Sequence, residues 1–150
     1  MIRKIILEND PFLRMKSKEV VEFDSRLHEL LGDMADTMYK ADGAGLSAVQ
    51  VGVLKRVFII DTGKGKKEFI NPVLIKSTGV NKIKEEGCLS IPGKYGFVER
   101  PETVWVSFQD RFGNKLEDKL KGYEAKAFCH EYDHLDGILF IDKATNIKKY

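Results

Sequence analysis

The segment Cys129-His130-Glu131-Tyr132-Asp133-His134-Leu135-Asp136-Gly137 constrains the fold more than any other part of the chain. On an α-helix, residues four apart differ by roughly 40° around the axis and by one turn in height, so both imidazoles point the same way. Two imidazoles so placed can bind one metal ion, and Glu131 then reaches the water on that ion rather than the ion itself. This is the HExxH arrangement, in which a metal lowers the pKa of bound water and a carboxylate shuttles its proton. Five-residue patterns also arise by chance, and a helix carrying two histidines often just exposes them. Of the chain's 3 histidines the remaining one, His28, falls on the polar side of a different predicted helix and reads as a solvated surface residue.

The surrounding pattern is helix, many strands, helix. Near the start, Asn9-Asp10-Pro11 breaks a first strand-like segment. Asp24 or Ser25 can then cap a helix whose apolar positions are Leu27, Leu30, Leu31, Met34 and Met38, and which ends near Ala41. Strands are expected at Arg56 to Asp61 and at Glu68 to Lys76, the latter interrupted by Asn71-Pro72, which suggests an edge or a bend. Thr103 to Phe108 alternates apolar and polar side chains and turns through Gln109 to Asn114 into Lys115 to Leu120 as a hairpin. The histidine helix runs from about Gly122 to Asp136, with Gly137 placed as the residue that stops it. Since no regular βαβ alternation appears, the expected class is α+β, with mostly antiparallel sheets packed around the C-terminal HExxH helix and an N-terminal helix beside them.

Composition excludes several classes. A chain of 150 residues, 43% hydrophobic and 32% charged, fits one globular domain over residues 1–150 that needs no disulfide staples. Its formal net charge of +2 is too small to argue for nucleic acid or an anionic membrane. No apolar run approaches the length of a membrane span, and the stretch after Met1 is too short for a signal-peptide core. The default compartment is the cytoplasm, where 2 cysteines read as free thiols or ligands rather than a disulfide.

A catalytic metal needs a third protein ligand and an open position. Downstream of His134 only Asp142 is on offer. Upstream stands Glu85-Glu86-Gly87-Cys88-Leu89-Ser90, whose cysteine is soft and can be deprotonated by a metal. Buried packing is the commoner fate of a free cysteine. The rival, Cys129, lies about 100° around the helix from His130, so Cys88 is the better choice. A third segment, Gly43 to Gly52, pairs glycines that allow close backbone approach with the uncharged amide of Gln50. As a phosphate cradle it is weak, because the Lys-Ser/Thr ending is absent. By itself the segment reads best as a tight helix-to-strand connection.

Taken together, GAGLSAVQ at 43–50, EGCLS at 86–90 and HEYDH at 130–134 resemble the peptide deformylase family, which carries GxGLAAxQ, EGCLS and HExDH segments in this order. The resemblance extends over most of the chain. It implies removal of the N-formyl group from the initiator methionine of new polypeptides, releasing formate. It also implies that Cys88, His130 and His134 hold one divalent metal ion, usually iron(II), with zinc, nickel or cobalt able to take its place. Glu131 would be the general acid/base, and Gln50 with the backbone N–H of Leu89 would donate to the formyl oxygen as charge builds there. The implied partners are formyl-Met nascent chains and the ribosome from which they emerge.

Two positions depart from the family segments. Ser47 stands where alanine is more frequent, a change a small site should tolerate, and Cys129 stands where many members have glutamine and reads as packing. Glu86, Asp133 and Arg100 are candidates for charge pairs bracing the motifs, although exposed ion pairs use the same residue types. Ala44, Tyr123 and Ala127, with the stem of Lys126 at the rim, are candidates for an apolar methionine pocket, and plain core packing accounts for the same residues equally well. Two other readings stand beside this one. A generic zinc peptidase would have no need of Cys88, and a closed structural metal site would have no need of Glu131.

Overall fold

The computed structural model describes residues 1–149. Helix α1 spans Ser25–Lys40, and the Asp24 carboxylate accepts from the Leu27 N–H at 3.1 Å, satisfying a donor that a helix start leaves free. Leu27, Leu30, Leu31, Met34 and Met38 are all buried, as their spacing requires. His28 departs from expectation. It is half-buried, its Nε2 donates to the Arg111 carbonyl at 2.8 Å, and its ring stands edge-on to Phe112. The polar side of α1 thus meets a turn of the sheet rather than open water.

Eight strands form two antiparallel sheets among the described residues. The larger has the order β1-β2-β3-β6-β7, from Gly45–Ser47, Val57–Ile60, Lys67–Thr78, Thr103–Gln109 and Lys115–Lys121. The smaller has the order β4-β5-β8, from Glu85–Cys88, Ile91–Phe97 and Thr145–Lys149. Strand β2 is buried along its whole length because it is covered on both faces. Val57 and Ile59 pack with α1, while Phe58 and Ile60 pack with Phe69 and Phe128 on the opposite side. The expected α+β architecture, with antiparallel sheets and a helix at each end, is what the chain forms.

Two local expectations change. The segment before Asn9 joins neither sheet; its Ile6 N–H donates to the Gln50 carbonyl and its Glu8 N–H to the Ser90 carbonyl, both at 2.8 Å, so it straps two loops together. Asn71-Pro72 does not mark an edge, since β3 lies between β2 and β6. Instead the register shifts between Ile70 and Val73, and Asn71 takes a φ of 51°. A bulge is where a strand can accommodate proline's missing N–H, so the bend was the correct half of that reading.

Helix α2, Tyr123–His134, packs Ala125, Phe128 and Cys129 on the larger sheet. Its end is built as expected: Gly137, at a φ of 75°, donates to the His134 carbonyl at 3.1 Å, and Ile138 donates to the Asp133 carbonyl at 3.0 Å. That pair of bonds closes the helix with a left-handed glycine. No helix among the described residues is long and apolar enough to cross a membrane.

Candidate metal centre

With one side of α2 buried on the sheet, its histidines face β4. His130 Nδ1 donates to Glu86 Oε2 on β4 at 2.7 Å, which fixes the ring and turns Nε2 towards the cluster. One turn on, His134 Nε2 lies 3.3 Å from Cys88 Sγ at the end of β4. Cys88, His130 and His134 each offer a ligand atom, all within 4.8 Å of one another. Bond lengths of about 2.3 Å to thiolate and 2.0–2.1 Å to imidazole place two ligands of one tetrahedral ion about 3.5 Å apart, so the sulfur–nitrogen spacing fits a shared cation. The donor set fits as well: one soft thiolate and two imidazoles bind several first-row divalent metals. Asp142 is elsewhere, paired with Arg14 and accepting from the Leu139 N–H at 3.0 Å. Cys129 is buried among Phe128 and its apolar neighbours, and burial pushes its thiol up to about 11, the state of a packing residue.

A buried ion-pair chain supports the ligands. Arg100 holds Glu86 through two bonds of 3.1 and 2.8 Å and reaches Asp133 Oδ2 at 2.6 Å, with Lys143 on the same carboxylate at 3.0 Å. Burial alone would raise the Glu86 carboxyl, but His130 and Arg100 outweigh it and hold it near about 2. Glu86 therefore stays an anion and a fixed acceptor for His130. The candidate charge pairs prove to be interior and connected, not surface decoration.

Glu131 is buried beside the cluster, its Oε2 3.7 Å from His130 Nε2. Burial raises its carboxyl above the ordinary range, only partly opposed by His130 and by a hydrogen bond from Ser47. A carboxyl raised in this way holds a proton more readily than an exposed one, which suits an acid/base. Gln50 is held at both ends of its amide. Its Oε1 accepts from the Ser47 N–H at 2.9 Å, and its Nε2 donates to Ser90 Oγ at 2.9 Å and towards Cys88 Sγ at 3.6 Å. Leu89 occupies the turn between β4 and β5. Gly43 is pressed against it: a Cβ there would lie 2.6 Å from Leu89 Cδ1. Glu131, Gln50, Leu89 and Gly43 border a cavity of about 580 Å³, and Ala44, Tyr123, Lys126 and Ala127 line it too. Lys126 is buried rather than at the rim, with its ammonium donating to the Glu85 carbonyl.

A sequence profile of the family described as polypeptide deformylase matches residues 2–150. The chain belongs to the polypeptide deformylase family. The peptide deformylase of Caldicellulosiruptor bescii is 54% identical over 142 residues, covering 95% of this chain and 85% of that protein. That of Finegoldia magna is 49% identical, covering 99% of this chain and 93% of its own length. The crystal structure of peptide deformylase from Thermotoga maritima superposes with a TM-score of 0.94 at 39% identity, covering 97% of this chain and 99% of that one. Within this deformylase fold, sequence reasoning brought together all three ligand candidates, Glu131, Gln50 and Leu89. It quoted Ser90 within EGCLS without giving it a role, although Ser90 holds the Gln50 amide, and it read Ser47 as merely tolerated. Both serines stand inside the quoted segments, but nothing local to either segment shows what its hydroxyl touches.

Proposed function

We propose that this chain, acting over residues 1–150 as one catalytic domain, hydrolyses the N-formyl group from the initiator methionine of newly made polypeptides, releasing formate. The observation that carries the reading is the convergence of Cys88, His130 and His134 within 4.8 Å, with the buried Glu131 carboxylate alongside. A divalent ion held by those three residues would supply an acidified water and a Lewis acid for the carbonyl oxygen. The family resemblance supports iron(II) as the natural ion, and zinc, nickel or cobalt suit the same donors.

The protein's own groups do the rest. Glu131 takes the proton from water and returns it to the leaving nitrogen as the C–N bond breaks. The Gln50 amide and the Leu89 N–H donate to the formyl oxygen as it gains charge. The methionine side chain lies against Ala44, Tyr123, Ala127 and the stem of Lys126. The pinch between Gly43 and Leu89 supports selectivity. A formyl carbon carries only hydrogen beyond its carbonyl and can enter a narrow cleft that excludes internal peptide bonds. The substrates are formyl-Met nascent chains in the cytoplasm, met near the ribosome.

The test is formate release from a formyl-Met peptide under anaerobic iron loading, with metal analysis of the same sample. Release with about one metal per chain is expected. Equal cleavage of unformylated peptides would refute the specificity. Cys88→Ala should lose both metal and activity, and unchanged metal content would remove Cys88 from the ligand set.

A further inference from the structure

Strand β1 grips the Glu131 carboxylate from two sides. Ser47 Oγ, fully buried, lies 2.8 Å from Oε1 and 3.2 Å from the backbone carbonyl oxygen of the same residue. Beside Oε2 the strand is bare, for a Cβ at Gly45 would stand 2.6 Å from that oxygen. Oε2 is also the oxygen turned towards His130 Nε2, at 3.7 Å. The two oxygens of one carboxylate thus have different surroundings: one accepts from a hydroxyl, the other faces the ligand cluster.

A glutamate's last torsion is broad and roughly two-fold, so a carboxylate left to itself samples many orientations. A buried hydroxyl needs an acceptor, and the backbone carbonyl alone could satisfy Ser47. The carboxylate oxygen is nearer and charged, and it is the stronger claim on the single proton.

We propose that Ser47 is a positioning residue of the deformylation reaction: its hydroxyl pins Oε1 so that Oε2 faces the water and the leaving nitrogen. Oε2 takes the water proton and delivers it to the nitrogen, while Ser47 keeps its own proton throughout. The backbone N–H of the same serine holds Gln50 Oε1, so one residue orients both the acid/base and the amide donor. This rests on Glu131 being the acid/base.

Ser47→Ala removes the hydroxyl and leaves the backbone N–H in place. Losing one hydrogen bond to a charged group should lower kcat for a formyl-Met peptide about tenfold. KM and metal content should be unchanged, and the melting temperature should fall by only a few degrees. In a Glu131→Ala background the same change should leave the residual rate as it was, because no carboxylate remains to be oriented. An independent readout is the carboxylate band in difference infrared spectra: it should shift in Ser47→Ala and be missing in Glu131→Ala. Unchanged kcat in Ser47→Ala, or an equal loss in both backgrounds, would overturn the proposal. Should Ser47→Ala prove too unstable to assay, the near-isosteric Ser47→Cys, a weak donor, must show the same kcat loss and the same non-additivity. Full activity in Glu131→Ala alone is a separate outcome, and it would remove the acid/base assignment itself.

Discussion

An acid/base that serves a water and then an amine must lie close to both, and at the residue scale Gly45 sets that closeness. Its φ lies outside the left-handed region, so alanine costs the backbone little. The added Cβ would instead stand 2.6 Å from Glu131 Oε2 and 3.1 Å from Cδ, and the carboxylate must move. Displacement by about 1 Å in a catalytic constellation costs on the order of a hundredfold in rate. Gly45→Ala should therefore lose about that much kcat while keeping its metal and its melting temperature. A wild-type kcat would show that this approach does not matter. The histidines and Glu131 were legible because their spacing is a local property of one helix. The grip of β1 on Glu131 was not, since Ser47 and Glu131 are 84 positions apart and nothing in either segment announces the other.

At the scale of elements, the stop of α2 decides how the ligand helix meets the rest of the chain. Gly137 sits at a φ of 75°, and a Cβ there would fall 2.3 Å from the Arg14 carbonyl oxygen, a backbone atom that cannot swing aside. Gly63 is the natural control, with a φ of 102° and nothing within 4 Å. Gly63→Ala should cost only the backbone strain, about 1 kcal/mol, whereas Gly137→Ala should cost about 3 kcal/mol or more. Urea midpoints at constant m would measure both, and equal losses would mean the Arg14 contact relaxes freely. Helix α1 was readable because it buries one face and its sequence keeps the matching period, whereas α2, buried nearly all round, was read from its histidine spacing and its glycine stop, and the hairpin from the alternation of β6. The smaller sheet was not. Strand β4 is four residues with two adjacent glutamates, β5 contains Pro92, Gly93 and Gly96, and β8 is exposed along its length. Such strands exist through their partners, not through a period of their own.

Across the whole molecule, the Arg100 chain joins both sheets' surroundings to α2. Glu86 on β4, His130 and Asp133 on α2 and Lys143 after Phe140–Asp142 all meet through one guanidinium or its partners. The folded-state pKa of Glu86, about 2, lies below its ordinary value of 4.5, so its contribution is fully present above pH 4.5 and is lost as pH falls towards 2. That shift corresponds to something on the order of 3 kcal/mol. Replacing Arg100 by leucine would leave Glu86 buried with the His130 ring but without the guanidinium, and burial would then raise its carboxyl. Removing one partner of a buried pair costs about 3–5 kcal/mol. Arg100→Leu should accordingly be less stable by that amount at pH 7, and its acid unfolding should begin at higher pH than in the parent. Because Glu86 also holds the His130 ring, the variant should bind its metal more weakly, by about 10–100-fold. Chemical denaturation from pH 3 to 8, paired with metal titration, separates the two effects. An acid transition at the parent's pH would show that Glu86 does not depend on Arg100 for its charge.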